Sequence, residues 1–254
     1  MSPAILAVLS GLFFALSSIY TRWGLERSNT GAAVLVTALA NVLVFWPLFL
    51  IFAPFSNLSS WSVLIFVAAG ATGPFLGRFL LFNGLERVGV SIATPLYNIQ
   101  VLFAAIGGVI FFDEALTPFV GLGTVVLLGG VALLSLGTSG GSKDRPRRLT
   151  DLVYPLASGF FFALSFIIRK WGLDLTPEVF LGLAVMASTS FFAAVVVGPI
   201  QSRSLNIPRG HPLFMFVVAG LLTNVAQLFS LTAILQGDLV VVIPLQNTQP
   251  LFAL

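Results

Sequence analysis

Apolar runs of about twenty residues follow one another along almost the whole chain, and a helix needs roughly that length to cross 30 Å of hydrocarbon. They occupy residues 3–23, 31–53, 61–85, 88–112, 116–137, 152–171, 177–200 and 212–235, and a ninth starts at 239 and is still apolar at 254. Backbone N–H and C=O groups have no water to bond with at that depth, so each run is confined to a helix. Only 8% of the 254 residues are charged and 57% are apolar, whereas about a quarter of a soluble domain is charged. Ser2 before Pro3, Thr117 before Pro118 and Thr176 before Pro177 are expected helix caps. The first run lacks the basic start and cleavage site of a removable signal and is expected to stay in the bilayer. The chain reads as an all-α, multi-pass membrane protein.

Several chemistries lack their raw material. There is no cysteine, which excludes disulfides, thiolate metal sites and cysteine nucleophiles. His211 is the only histidine, too few for an imidazole metal centre or a Ser-His-Asp triad. No pair of acids lies at depth, so no enzyme, metal or cofactor is expected. The net charge of +3 comes from residues between the apolar runs rather than from a stripe along one of them. It therefore reports membrane topology, and no nucleic-acid partner is expected.

Self-similarity organises the chain further. Ser10-Gly-Leu-Phe-Phe-Ala-Leu-Ser-Ser-Ile-Tyr-Thr-Arg-Trp-Gly-Leu25 recurs as Ser158-Gly-Phe-Phe-Phe-Ala-Leu-Ser-Phe-Ile-Ile-Arg-Lys-Trp-Gly-Leu173, identical at eleven of sixteen positions. Pro95-Leu-Tyr-Asn-Ile-Gln-Val-Leu-Phe-Ala104 recurs as Pro244-Leu-Gln-Asn-Thr-Gln-Pro-Leu-Phe-Ala253, at nearly the same offset. Residues 1–138 and 151–254 are thus two copies of one five-helix unit, joined by a polar, basic linker at 139–150. Because five is odd, the second copy enters the membrane from the opposite side, giving an inverted repeat with its substrate site between the halves. The expected whole is a ten-helix bundle, of which this chain is a fragment interrupted in the ninth helix.

Both halves resemble the EamA domain of the drug/metabolite transporter superfamily. The resemblance is carried by an aromatic-rich first helix ending in Arg22-Trp23 and Lys170-Trp171, by the proline motifs at Pro95 and Pro244, and by Phe111-Phe-Asp-Glu-Ala-Leu-Thr-Pro118 before a glycine-rich fifth helix. It implies a ten-helix permease or exporter of amino acids, sugars, nucleotide sugars or similar metabolites. It also implies a central cavity lined by the first, third and fourth helices of each unit.

Polar side chains within hydrocarbon are costly and by default face the bundle interior, so they are the candidate site. Arg78 is the basic residue placed well inside a span; it either binds an anionic group of a substrate or snorkels to the nearer headgroups. All nine acids map to loops or helix ends, which disfavours proton coupling through a carboxylate at the midplane. Phasing the fourth span at 100° per residue puts Tyr97, Gln100, Val101, Ala104, Gly108 and Phe111 on an inward face and Ile99, Leu102, Phe103, Ile106 and Val109 on the lipid face. By the repeat, Gln246 and Gln249 take the positions of Tyr97 and Gln100. Asn98 and Asn247 are predicted to bond a neighbouring helix. Asn224 and Gln227 share a face of the eighth span and serve either a ligand or interhelical hydrogen bonds. Pro95 and Pro244 break their helices, as kinks or as gating points with carbonyls free for a ligand.

Loop charges put the linker in the cytoplasm by the positive-inside rule, while the family resemblance implies a cytoplasmic N-terminus. The expected function is a secondary transporter in the cell membrane that moves small polar organic metabolites, amino acids or related compounds in the export direction, by alternating access through a midplane cavity, as monomer or homodimer in the lipid bilayer. The alternatives are a lipid-linked sugar flippase and a scaffold without transport.

Overall fold

The computed structural model describes residues 1–53, 59–137, 148–201 and 208–252, and its regular elements there are all helical. The first half comprises α1 (Pro3–Leu25), α2 (Thr30–Phe52), α3 (Ser60–Gly70), α4 (Arg78–Val88), α5 (Val90–Tyr97), α6 (Gln100–Phe112) and α7 (Pro118–Gly137). The second comprises α8 (Val153–Leu175), α9 (Val179–Gln201), α10 (His211–Gln236), α11 (Leu239–Gln246) and α12 (Gln249–Phe252). The linker predicted at 139–150 lies outside the described residues as far as 147. Seven segments are long and apolar enough to span a membrane, and two more, Pro118–Leu133 and Leu239–Phe252, are apolar but shorter.

Local chemistry starts the helices much as expected. Ser2 accepts the Ile5 N–H at 3.4 Å and Thr117 accepts that of Val120 at 3.3 Å. Thr176 differs: α9 begins only at Val179, and the Thr176 hydroxyl instead bonds Ser62 on α3 at 2.5 Å.

The third span is not a continuous α-helix. Between α3 and α4, Ala71–Gly77 forms a π-helical turn containing Pro74. The Arg78 N–H there reaches the Gly73 carbonyl, five residues back. Proline supplies no N–H and its ring crowds the preceding turn, so a wider turn relieves the clash.

The stretches that repeat in sequence also make matching contacts, each reaching into the opposite half. Ser17 on α1 donates to the Ala219 carbonyl at 2.8 Å, and Ser165 on α8 donates to the Ala69 carbonyl at 2.8 Å. Gly24 lies against the Phe216 ring as Gly172 lies against Phe66. A Cβ at Gly11 would sit 2.7 Å from the Gln246 carbonyl oxygen, and one at Gly159 would sit 2.7 Å from that of Tyr97. Thus α1 packs along α10 and α8 packs along α3 and α4, while α2 rests on α9 and α10. Phe45, Phe66, Leu173, Leu183, Met186 and Leu231 fill the core among them.

The outward face predicted for α6 is largely as observed. Leu102, Ile106 and Val109 are exposed, while Val101, Ala104 and Gly108 are buried; Ile99 and Phe103, also predicted outward, are half-buried, Phe103 against the Phe160 ring at 5.6 Å. Phe111 departs from the phase and is 53% exposed, with its ring edge-on to Trp171 at 5.3 Å.

The close approaches at Gly11 and Gly159 are to backbone, which cannot yield as a flexible side chain would. Gly11→Ala and Gly159→Ala are therefore expected to destabilise the protein by about 1–3 kcal/mol each. Gly121→Ala and Gly129→Ala, where a Cβ meets nothing within 4 Å, are expected to be neutral or stabilising by up to about 1 kcal/mol. Thermal unfolding of the four variants in detergent measures the contrast.

Candidate functional site

Two interrupted helices meet in the interior. The fourth span breaks between α5 and α6 at Asn98 and Ile99, and the ninth breaks between α11 and α12 at Asn247 and Thr248. Each break follows its proline, Pro95 or Pro244, by three residues. The asparagine in each break donates its side-chain amide to the carbonyl four residues back, Asn98 to Thr94 and Asn247 to Ile243, both at 2.8 Å. Each amide adds a second donor to a carbonyl that already accepts the asparagine's own backbone N–H at 3.0 Å, and so ties the side chain to the turn before the break. Asn98 thus bonds its own helix rather than a neighbour.

One hydrogen bond joins the breaks. Gln100 Nε2 donates to Asn247 Oδ1 at 2.8 Å, with both residues buried. Gln246 accepts from Ser230 on α10 at 2.7 Å, and Gln249 donates to Ser18 on α1 at 2.9 Å. Tyr97 stands at the end of α5 with its ring edge-on to Phe162 of α8 at 5.3 Å, and its side chain interacts with the Gln100 amide. Of the remaining predicted residues, Asn224 donates to the Ala40 carbonyl on α2 at 3.4 Å, an interhelical contact, and Gln227 is half-buried on α10.

Arg78 opens α4 directly after the π turn and is half-buried. The structure adds a second intramembrane cation, which corrects the expectation that Arg78 stands alone at depth. Arg169 on α8 is 7% exposed, lies 5.1 Å over the Phe166 ring, and interacts electrostatically with both Arg78 and Tyr97. Gly73 lies beside it, a Cβ there meeting Arg169 Nη2 at 3.5 Å in ordinary contact and Ser165 Oγ at 2.5 Å. Among the described residues, neither arginine has a carboxylate partner or a hydrogen-bond acceptor. Arg169 Nε and Gln100 Oε1 are both buried without a partner, a donor and an acceptor left open.

The neighbouring Lys170 is treated differently. It pairs with Glu114, a buried carboxylate in the connection after α6, and also donates to the Gly237 carbonyl at 3.3 Å. Asp113 sets this up by adopting a left-handed φ of 52°, a conformation that short polar side chains tolerate. The turn it makes sends Glu114 back into the bundle. There the Glu114 oxygens accept the N–H groups of Leu239 and Val240, each at 2.9 Å, and so cap the first turn of α11. No group of side chains able to hold a metal ion occurs among the described residues.

The family model of the EamA-like transporters matches residues 1–136. The chain belongs to the EamA-like transporter family. That places it in the drug/metabolite transporter superfamily and makes it a multi-pass membrane protein with a transport role. In fold it is similar to a protein of known crystal structure, with a TM-score of 0.81 over 99% of this chain and 84% of that one, at 16% identity. No curated protein matches it in sequence.

Within this EamA protein the Glu114–Lys170 pair ties the first half to the second, and its removal has a definite cost. Glu114→Ala leaves Lys170 uncompensated and two N–H groups of α11 uncapped, and is expected to destabilise the protein by about 3–5 kcal/mol. Adding Lys170→Met is expected to recover the share due to the stranded charge. Unfolding midpoints of the single and double variants measure both.

Proposed function

We propose that this protein is a secondary transporter of the cell membrane that carries a small polar organic metabolite between two inverted five-helix halves. One observation carries the reading: both broken helices turn toward each other in the interior and are bridged by Gln100 and Asn247. Helix breaks at depth are tolerated where they line a cavity, and in transporters of inverted-repeat design they face the substrate at the interface of the halves. The matched contacts of α1 with α10 and of α8 with α3 support two units of like construction. Rocking of one half against the other then opens the site alternately to either side, in a monomer or a homodimer.

In this reading the substrate is moved unchanged, with no chemical conversion and no cofactor. Arg78 holds an anionic group of the cargo, since a guanidinium gives paired, charge-assisted hydrogen bonds to carboxylate or phosphate. Tyr97, Gln100, Gln246 and Gln249 orient its polar remainder, with Pro95 and Pro244 fixing where the two helices open. Asn224 and Gln227 border this site along α10.

The test is transport by the protein in proteoliposomes or in cells. Arg78→Ala is expected to lower flux of its metabolite about tenfold or more, the loss of one charge-assisted contact of about 1.5–3 kcal/mol. Gln246→Ala is expected to lower it less. Unchanged flux of every responsive metabolite in both variants would show that the site is elsewhere.

A further inference from the structure

We propose that Arg78 and Arg169 form a two-cation clamp, with Tyr97 between them, whose substrate is a small dianion: a dicarboxylate or a phosphate monoester. The proposal rests on the transport reading above and narrows the class of cargo. It starts from charge balance. Arg169 is more than nine-tenths buried and its Nε has no partner. Among the described residues no carboxylate pairs with either arginine: the ion pairs are Glu114 with Lys170, Asp151 with Arg87 at 3.0 Å, and Asp238 with Lys170 at 3.9 Å. Arg169 and Lys170 are adjacent in sequence yet diverge, the lysine toward α11 and the arginine toward Gly73 on the π turn.

Arg169 Nη2 lies beside Gly73, whose carbonyl accepts the Arg78 N–H, and the two cations interact; without an anion they repel each other, and burying such groups unpaired is costly. A fold that keeps both is stable to the extent that something of opposite charge occupies the space between them. One carboxylate neutralises only one of the two. A zwitterionic amino acid also brings an ammonium group that both arginines repel. A dianion satisfies both, and its geometry suits two planar forks that each offer paired donors. The open Gln100 Oε1 and the Tyr97 hydroxyl remain for a hydroxyl or other donor on the same molecule.

The second observation is the room made for the clamp. The π turn at Ala71–Gly77 brings Gly73 against Ser165 and Arg169, and Gly77 against Phe162, the ring on which Tyr97 rests. An added Cβ at Gly73 would sit 2.5 Å from Ser165 Oγ, so this approach is open to glycine alone. Single π turns within α-helices are frequent at functional sites. Here the turn passes directly into Arg78 and so sets the position of both cations relative to each other.

The experiment is a thermal-unfolding titration of the purified chain at constant ionic strength, with succinate, glycerol phosphate, inorganic phosphate, alanine and chloride as separate probes. Stabilisation by succinate or by the phosphate compounds, and none by alanine beyond that of chloride, is the expected result; the probe that acts decides between carboxylate and phosphate. Arg169→Gln is expected to raise the half-saturating concentration about tenfold or more, and Arg169→Lys less. Without ligand, Arg169→Gln is expected to melt at or above the wild type, because the repulsion with Arg78 is gone; a merely structural arginine would show the reverse. Should Arg169→Gln not fold, Arg169→Lys and Arg78→Gln carry the same titration. The proposal is overturned if no dianion stabilises the protein more than chloride, if alanine does so equally, or if the arginine variants titrate as the wild type does. Flux of the same probes in proteoliposomes separates the two readings: dianion binding without flux overturns transport alone, and alanine flux without dianion binding overturns the clamp alone.

Discussion

In hydrocarbon a backbone N–H or C=O without a partner costs several kcal/mol, and this protein nevertheless interrupts two of its apolar helical runs, one at Asn98 and Ile99 and the other at Asn247 and Thr248. The rest of the architecture follows from how those interruptions are accommodated. Asn98 and Asn247 return their amides to the carbonyls of Thr94 and Ile243, and Gln100 reaches across to Asn247. Gly11 and Gly159 let α1 and α8 press against the opposite half's break, so that the exposed backbone meets protein instead of lipid. Prolines define where the helices open, and glycines on the facing helices define what closes over them.

Charge in the interior divides into two kinds. Lys170 and Glu114 form a closed arrangement, in which the carboxylate also caps α11 and every strong group has a partner. Arg78 and Arg169 form an open one, with a buried donor left over. Adjacent residues on α8 thus serve opposite ends: one fastens the halves together and the other faces the space between them.

Much of this was legible in the residues. Run lengths located seven described segments long and apolar enough to span, while the fifth and ninth runs gave shorter helices; residues 10–25 and 158–173, alike at eleven positions, carry Ser17 and Ser165, each bonded to a carbonyl of the other half. The 3.6-residue period separated Leu102, Ile106 and Val109 from Val101, Ala104 and Gly108, and failed at Phe111, where stacking on Trp171 outweighs phase. Arg169 was hidden because it precedes Lys170 near the end of an apolar run, where basic pairs ordinarily mark the membrane surface. Its burial accompanies the extension of α8 to Leu175 and its packing against the π turn at Gly73, 96 residues earlier in the chain, a tertiary relation that no local pattern records. Glu114 was hidden for the same reason. A turn acid is solvated by default, and only the left-handed Asp113 sends it inward.

The absence of cysteine makes the central claim, a site between the halves that opens to each side in turn, directly measurable. A single cysteine replacing Phe162, the ring between Tyr97 and Gly77, is treated with a membrane-impermeant thiol reagent in intact cells and in inverted vesicles, with Ile106→Cys on the lipid face as control. Alternating access predicts labelling of the Phe162 position from both sides, protection by bound substrate, and no labelling of the control. Labelling of the Phe162 position from one side only, or from neither, would contradict it.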